Sequence, residues 1–197
     1  MLAPAEDVIR RAARLIDQGV RLDMNELAAE FGVSRATLFR RVGNREELTG
    51  EALWWLAERT LAAASARWER SDGPAVRSAD GKLRTLRIMD EYAAAIVSHA
   101  GFQRLLDEEP VTTLRILTDP FGKVQPRMIT AYLRMLERDV ADGGFTPLVD
   151  LDTLSYGAVR LGEAVIYADI VAAREPDLAA ASALVDALVE GVLRPRS

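Results

Sequence analysis

The sequence predicts an all-α fold. Apolar residues recur at intervals of three and four along most of the 197-residue chain, and no segment shows a convincing two-residue alternation. Glycine and proline stand at the ends of the apolar stretches, where helices begin or stop. About half of the residues are hydrophobic and charges of both signs are mixed along the chain, which is typical of a folded globular protein. We therefore expect about nine helices.

The N-terminal helices are marked by their caps. A first amphipathic helix ends near Gly19. A short second helix follows Asp23, which forms a capping-box pattern with Glu26, and Gly32 ends it because glycine adopts a left-handed turn without steric cost. Ser34 is then placed to cap a third short helix.

Longer helices fill the rest of the chain. Gly43 closes the third helix, and Asn44 with Glu47 forms a second capping box that opens a long helix to about Glu69. A segment rich in Ser, Asp, Gly and Pro, 71–81, is the first clear break. Further helices are expected over 82–100, 102–109, 126–143, 152–174 and 176–193. The stretch between Pro110 and Pro120 stays unassigned.

The composition excludes several kinds of site. Cysteine is missing, and the one histidine, His99, would have to serve any histidine metal cluster or Ser-His-Asp triad. We expect no metal, no cofactor and no enzyme activity. No apolar run approaches the roughly 18 residues of a membrane span, and Glu6 and Asp7 are unlike a signal peptide. A cytoplasmic protein without membrane contact is the expectation.

Two short helices joined by Phe31-Gly32-Val33-Ser34 have the size of a helix-turn-helix, in which the second helix enters the major groove of DNA. Between Gly32 and Arg45 there are four arginines and no acidic residue, although the chain has a net charge of −5. The charge pattern favours a phosphate-facing surface. The alternative is an ordinary solvated basic face, with Phe39 packed inside.

The stretch 23–48 resembles the DNA-binding signature of TetR-family regulators. It contains the turn Gly32-Val33-Ser34, the helix core Thr37-Leu38-Phe39, and Arg45 followed by Glu-Glu-Leu. The resemblance implies a helix-turn-helix domain over 1–50 and a helical ligand-binding and dimerisation domain over 51–197. The residues expected to face DNA are Ser34, Arg35, Ala36, Thr37, Phe39, Arg40, Arg41 and Arg45.

Three positions depart from the pattern of that family. Phe39 stands where tyrosine is usual, so a hydroxyl bond to phosphate is lost. Val42 replaces a usual phenylalanine, and Asp23 replaces a threonine and would repel a nearby phosphate. These changes affect the expected affinity and contacts, and leave the motif intact.

The C-terminal half resembles the QsdR-like branch of the same family in the segments 111–118 and 159–169. That branch is linked to lactone-type signalling and degradation, which suggests a class of ligand. On the penultimate helix four polar residues share one face and suggest a pocket, although Arg160 and Glu163 could simply pair with each other. The residues predicted to bind a small-molecule effector are Met89, Tyr92, Ile96, His99, Phe102, Leu106, Tyr132, Tyr156, Arg160, Glu163 and Tyr167.

The last two helices predict a homodimer. A stripe of small residues on the penultimate helix would let another helix approach closely, and two such helices from each subunit would form a four-helix bundle. The alternative is that both helices complete the core of a monomer. The residues predicted at the dimer interface are Gly157, Leu161, Ala164, Ala168, Leu184, Val185 and Leu188.

The combined expectation is a repressor that leaves a palindromic operator when a small molecule binds. The alternative is a helical protein-interaction module without sequence-specific DNA binding, whose arginine face meets an acidic protein.

Overall fold

The computed structural model of the protein describes residues 4–172 and 174–195. Within these residues the chain forms ten helices: α1 Ala5–Asp17, α2 Met24–Glu30, α3 Arg35–Val42, α4 Arg45–Ser71, α5 Arg84–Val97, α6 Ala100–Glu108, α7 Pro110–Thr118, α8 Gln125–Gly143, α9 Leu151–Val171 and α10 Leu178–Val192. Two short strands, β1 Phe145–Pro147 and β2 Leu193–Pro195, pair antiparallel with Thr146 opposite Arg194.

The prediction of an all-α fold is confirmed for the part of the chain that the structure describes, apart from the two short strands. The unassigned stretch after Pro110 forms α7, in which proline occupies the first turn, where it costs no hydrogen bond. The two strands were not predicted, because three residues are too few to show an alternating pattern.

The described chain folds into two compact units. The first contains the residues up to Arg59 together with Ile96–Pro126, and the second contains Thr60–Ala95 together with the residues from Arg127 onward. Both units are therefore discontinuous in sequence. The domain boundary at residue 50 stays a prediction, and the structure adds that α6 and α7 belong to the first compact unit.

The first unit buries the apolar faces of its N-terminal helices. Val8 and Ile16 of α1, Leu27 of α2 and Leu38 of α3 are each almost completely buried. Helix α6 crosses α1 at Gly101, where a Cβ atom would stand only 2.0 Å from the carbonyl oxygen of Ile16. Only glycine permits this close approach of α6 to the backbone of α1.

The second unit has a buried ion pair in its core. Arg84 of α5 donates from Nε to Oδ1 of Asp139 of α8 at 2.6 Å, and the backbone N–H of Thr85 donates to Oδ2 of Asp139 at 2.9 Å. Arg84 also pairs with Asp142 at 2.8 Å. Burial raises the pKa of Asp139 above its usual value, although these bonds oppose the shift. The network fixes the start of α5 against α8.

No helix among the described residues is long and apolar enough to span a membrane.

Candidate DNA-binding and effector sites

The caps that the sequence predicts set the geometry of the helix-turn-helix. The carboxylate of Asp23 accepts hydrogen bonds from the backbone N–H groups of Asn25 and Glu26 at 2.6 and 3.2 Å, which lowers the pKa of Asp23. Gly32 takes the left-handed conformation, with φ +62°. Ser34 Oγ then accepts from the backbone N–H of Thr37 at 3.2 Å and starts α3. Local hydrogen bonds therefore fix where α3, the predicted recognition helix, begins.

Helix α3 has one buried face and one exposed basic face. Leu38 and Val42 are buried in the core of the first unit. Phe39 is 55% exposed, so the alternative that it packs inside is wrong. Arg35 and Arg40 are exposed on the outward side as well.

The remaining residues that the sequence predicts on this surface lie close to that exposed face. Ser34 and Ala36 are exposed, whereas Thr37 and Arg41 are partly covered. Arg40 Nη2 donates to Thr37 Oγ1 at 3.2 Å, which holds the guanidinium along the helix. The structure thus brings seven of the predicted residues together on one helix and its cap, Ser34, Arg35, Ala36, Thr37, Phe39, Arg40 and Arg41.

A shallow hollow of about 310 Å³ lies beside the recognition helix. Its walls come from α2, α3 and the first turn of α4, and its lining residues are Met24, Arg35, Phe39, Asn44, Arg45 and Glu46. No pattern in the sequence indicates that Met24, Asn44 or Glu46 belongs to this surface. The hollow gives the basic face a concave edge next to Phe39.

Arg45 makes intrachain contacts that the sequence does not predict. Its Nε donates to the carbonyl oxygen of Leu22 at 3.0 Å, and its two terminal nitrogens donate to the carboxylate of Glu109 at 2.8 and 2.7 Å. Arg21 donates to the same carboxylate at 3.1 Å. The Arg45 hydrogen bonds are the main cause of a lowered pKa at Glu109. Arg45 therefore ties the start of α4 to the α6–α7 junction, and its contact with DNA stays a prediction.

The sequence could not reveal the role of Glu109. This residue lies 64 positions beyond Arg45, between α6 and α7, and no local pattern connects the two. The pairing arises because α6 packs on α1 at Gly101 and so brings the α6–α7 junction to the start of α4.

The predicted effector residues divide between the two compact units. The first unit contains Ile96, His99, Phe102 and Leu106. The second unit contains Met89, Tyr92, Tyr132, Tyr156, Arg160, Glu163 and Tyr167.

His99, Phe102 and Leu106 have structural roles within the first unit. His99 caps α6, because its Nδ1 accepts from the backbone N–H of Phe102 at 3.3 Å. Its Nε2 lies 2.7 Å from Oδ1 of Asp17. Phe102 and Leu106 are buried in the core beneath α6. Capping and packing account for these three side chains in the structure, and their contact with an effector stays a prediction.

On α9 the predicted polar face is divided. Tyr156 and Arg160 are exposed, whereas Glu163 is mostly covered and Tyr167 partly so. Arg160 Nη1 donates to Glu163 Oε2 at 3.1 Å, so the alternative that these two residues pair is confirmed. Tyr156 and Arg160 are therefore open to solvent in the described chain, and their contact with an effector stays a prediction.

Tyr92 of α5 and Glu163 and Tyr167 of α9 are partly covered and interact electrostatically. Burial raises the pKa of both tyrosines, and the negative charge of Glu163 raises both further. Both phenols consequently stay protonated at neutral pH and can donate a hydrogen bond.

Met89 and Tyr132 differ from these three residues. Tyr132 is only 1% exposed, and its hydroxyl is a buried polar atom without a hydrogen-bond partner among the described residues. Met89 is partly covered on α5. Tyr132 is thus a core residue of α8, and Met89 lies one helical turn before Tyr92.

The predicted dimer residues also divide. Within the chain, α9 packs on α10 through its glycines, since a Cβ atom on Gly157 would lie 3.8 Å from Leu188 and one on Gly162 would lie 3.9 Å from Val185. Gly157, Leu188 and Val185 therefore serve the α9–α10 contact of a single chain, and Leu161 is partly covered. Exposed small and apolar residues remain on both helices and form what we call the α9–α10 face: Ala164, Ala168, Val171, Leu184 and Ala187.

Two capped short helices that present arginines from the second one define a helix-turn-helix DNA-binding regulator. Residues 80–190 match the family model described as the tetracyclin repressor-like C-terminal domain, which is more than half of the chain. The chain belongs to the TetR family of transcription regulators. Members of this family are non-enzymatic transcription factors that bind DNA and small-molecule effectors and act as dimers.

The chain is also similar to solved structures. The transcriptional repressor QsdR of the TetR family from R. erythropolis matches with a TM-score of 0.83 and 27% sequence identity, covering 98% of this chain and 97% of that chain. The TetR-family transcriptional regulator PfmR from Thermus thermophilus matches with a TM-score of 0.37 and 18% identity, covering 98% of this chain and 100% of that chain. Comparison with curated proteins gives no match.

Proposed function

We propose that this regulator is a repressor that binds a palindromic operator as a homodimer and leaves it when a small, lactone-like molecule binds to the second unit. The observation that carries the proposal is the exposed basic face of α3, with Leu38 buried behind it and Arg35, Phe39 and Arg40 directed outward.

The chemistry of this face fits the major groove. Arginine can form a bidentate pair with guanine, and the exposed ring of Phe39 can contact the methyl group of thymine. Arg41, at the end of α3, is placed for a phosphate. Together these side chains supply both base contacts and the electrostatic attraction that DNA binding needs.

A dimer is supported by the α9–α10 face. Its exposed residues include Leu184, 49% exposed, and Val171, 72% exposed, which a monomer would leave in water. A two-fold dimer places two recognition helices about one DNA turn, roughly 34 Å, apart and so matches a palindrome.

Release by an effector requires that the ligand bind the two states of the dimer unequally. A ligand moves the equilibrium only by its difference in affinity for the DNA-bound and the released geometry. The similarity to the repressor QsdR supports repression as the sign of control. The lactone-like class rests on the resemblance of the segments 111–118 and 159–169.

The test begins with affinity selection of fragmented genomic DNA on the purified protein, followed by sequencing. We expect one palindromic site to be enriched. Arg40→Ala should weaken binding to that site by roughly 5- to 150-fold, the range of a lost base contact. The matched control is Arg70→Ala, which removes an exposed arginine of the second unit and should leave the affinity unchanged.

Three results would count against the proposal. If a folded dimer enriches no site, the alternative of a protein-interaction module takes its place. If Arg40→Ala binds the selected site as tightly as the wild type, the DNA-facing surface is wrongly assigned. Addition of γ-nonalactone should release the selected DNA site from the wild-type protein. If the DNA stays bound, the proposal that the effector is lactone-like is wrong.

A further inference from the structure

The polar side chains that line the hollow beside α3 are held by bonds within the first unit. Arg45 makes the intrachain hydrogen bonds described above. Glu46 Oε1 accepts from Arg115 Nη2 at 2.5 Å, and Asn44 Oδ1 accepts from the backbone N–H of Glu47 at 2.9 Å. These bonds fix the walls of the hollow and occupy groups that could otherwise bind an incoming molecule.

The other three lining side chains are Met24, Arg35 and Phe39. Arg35 is exposed and forms no hydrogen bond or ion pair with any residue that the structure describes. Phe39 is 55% exposed and has no hydroxyl, so its ring offers apolar surface alone. Met24 is 9% exposed and adds a flexible, apolar thioether to the same hollow. A molecule that enters therefore meets one guanidinium beside two apolar side chains.

Arg35 and Phe39 lie side by side on α3, because they are four residues apart and so one helical turn apart. The Cβ atoms of such a pair are roughly 5–6 Å apart. Successive bases of one DNA strand are roughly 3.4 Å apart, so the two side chains can reach neighbouring base pairs. A guanidinium pairs with O6 and N7 of guanine, whereas apolar groups contact the C5-methyl group of a pyrimidine.

A phosphate group fits this hollow less well than the edge of a base. Phe39 cannot donate a hydrogen bond to it, and the guanidinium of Arg45 already donates to Glu109. Glu46 adds a negative charge to the wall of the hollow. The hollow is therefore suited to an uncharged, apolar feature of the major groove.

We infer that Phe39 and Met24 hold the C5-methyl group of a pyrimidine that lies next to a guanine bound by Arg35, and that operator affinity depends on this methyl group. The inference rests on the proposed function, since it names a feature of the operator that α3 recognises. Thymine and 5-methylcytosine carry the methyl group at the same ring position. The regulator should therefore respond to methylation of cytosine at this position as well.

The experiment removes single methyl groups from the selected operator. Uracil differs from thymine only in lacking the C5-methyl group, and fluorescence anisotropy with the full-length protein measures the affinity of each uracil-containing duplex. We expect one sensitive thymine next to a guanine in each half-site. Its replacement should weaken binding about fourfold in one half-site and about fifteenfold in both, the effect of burying one and two methyl groups. Unchanged affinity with uracil at every thymine position overturns the inference.

A second set of duplexes tests the response to methylation. The sensitive thymine–adenine pair is replaced by a cytosine–guanine pair, with and without a methyl group at C5 of the cytosine. The methylated duplex should bind about fourfold more tightly than the unmethylated one. Equal affinity of these two duplexes overturns the predicted response to methylation.

A protein variant assigns the methyl group to Phe39. Phe39→Ala should bind the thymine and uracil duplexes equally, because the methyl group then has no ring to contact, and the two changes form a double-mutant cycle. The matched control is Phe121→Ala, which removes a 93% exposed ring from the same unit and should distinguish the duplexes as the wild type does. If Phe39→Ala has a wild-type circular dichroism spectrum and still distinguishes them fourfold, the role of Phe39 is overturned.

Failure of this inference and failure of the proposed function give different results. If an operator is selected and is bound equally tightly with thymine and with uracil, only the inference is overturned. If no operator is selected, the inference is overturned together with the proposed function.

Discussion

At the scale of single residues, the partners of a charged side chain decide what it does. Arg40 and Arg45 are both arginines of the helix-turn-helix region, and their sequence contexts look equally suitable for DNA. Arg40 is exposed and bonds only to Thr37 among the contacts described above, whereas Arg45 is held by Leu22 and Glu109. We therefore assign Arg40 to DNA recognition and Arg45 to the position of α4.

Replacement of Arg45 should have a different effect from replacement of an arginine that contacts DNA. Arg45→Ala breaks the contact between α4 and the α6–α7 junction, so operator affinity should fall because the helix-turn-helix is less well held. The slope of log affinity against log salt should not change, since no phosphate contact is lost. Fluorescence anisotropy at several salt concentrations measures this slope. The Arg41→Ala variant, which loses a proposed phosphate contact, should show a slope that is less steep by about one.

Glu109→Gln is the companion variant for this prediction. It carries no positive charge and lies on no DNA-facing helix, so an effect on operator affinity would pass through its partners, of which Arg45 makes two of the three hydrogen bonds and Arg21 the third. We expect a fall in affinity in the same direction as for Arg45→Ala, again with an unchanged salt slope. If the slope of log affinity against log salt becomes less steep by about one in Arg45→Ala, the guanidinium of Arg45 instead contacts a phosphate.

At the scale of elements, the crossing of α1 and α6 depends on a glycine, Gly101. Gly101→Ala would put a methyl group 2.0 Å from the carbonyl oxygen of Ile16, and this obstacle is backbone that cannot rotate away. We expect a loss of roughly 1–3 kcal/mol in the free energy of unfolding, the usual range for overpacking. Urea denaturation followed by circular dichroism measures it.

Gly191→Ala provides the control for this substitution. Gly191 lies in α10, and a Cβ atom there would have nothing within 4 Å. Alanine should leave stability unchanged or raise it by roughly 0.5–1 kcal/mol, because glycine is a poor helix former. Equal urea midpoints for the Gly101→Ala protein and the wild type would show that α6 does not cross α1 so closely.

The elements also show how far sequence reasoning extends. Helix α3 was predicted to within a residue, because Ser34 and Gly43 act through bonds to their immediate neighbours. The pairing of β1 with β2, and that of Glu109 with Arg45, joins residues far apart in sequence, so no local pattern predicts either. The same limit applies at His99 and Phe102, because from sequence alone an apolar helical face is equally suited to packing and to lining a pocket.

At the scale of the whole molecule, the α9–α10 face predicts a dimer that one substitution should weaken. Leu184→Glu would place a carboxylate in the centre of an apolar interface, where it would be desolvated without a partner. Sedimentation velocity should show a shift toward monomer, and affinity for the palindromic site should fall while the fold is retained.

Phe121→Glu is the control for surface hydrophobicity. Phe121 is 93% exposed and belongs to the first unit, so it tests whether removal of any exposed apolar side chain changes assembly. The variant should remain dimeric. A Leu184→Glu protein that sediments like the wild type would mean that the dimer uses another surface.

The discontinuous first unit has a consequence for protein engineering and for synthesis on the ribosome. The helix-turn-helix is encoded in the first 50 residues, but the glycine crossing and the carboxylate that hold it come from α6 and the residue that follows. A chimaera that transfers only the N-terminal segment to another effector domain would leave those parts behind. A nascent chain likewise completes the first unit, which contains the helix-turn-helix, only after residue 126 has been synthesised. The segment of sequence needed for operator binding is therefore longer than the helix-turn-helix motif.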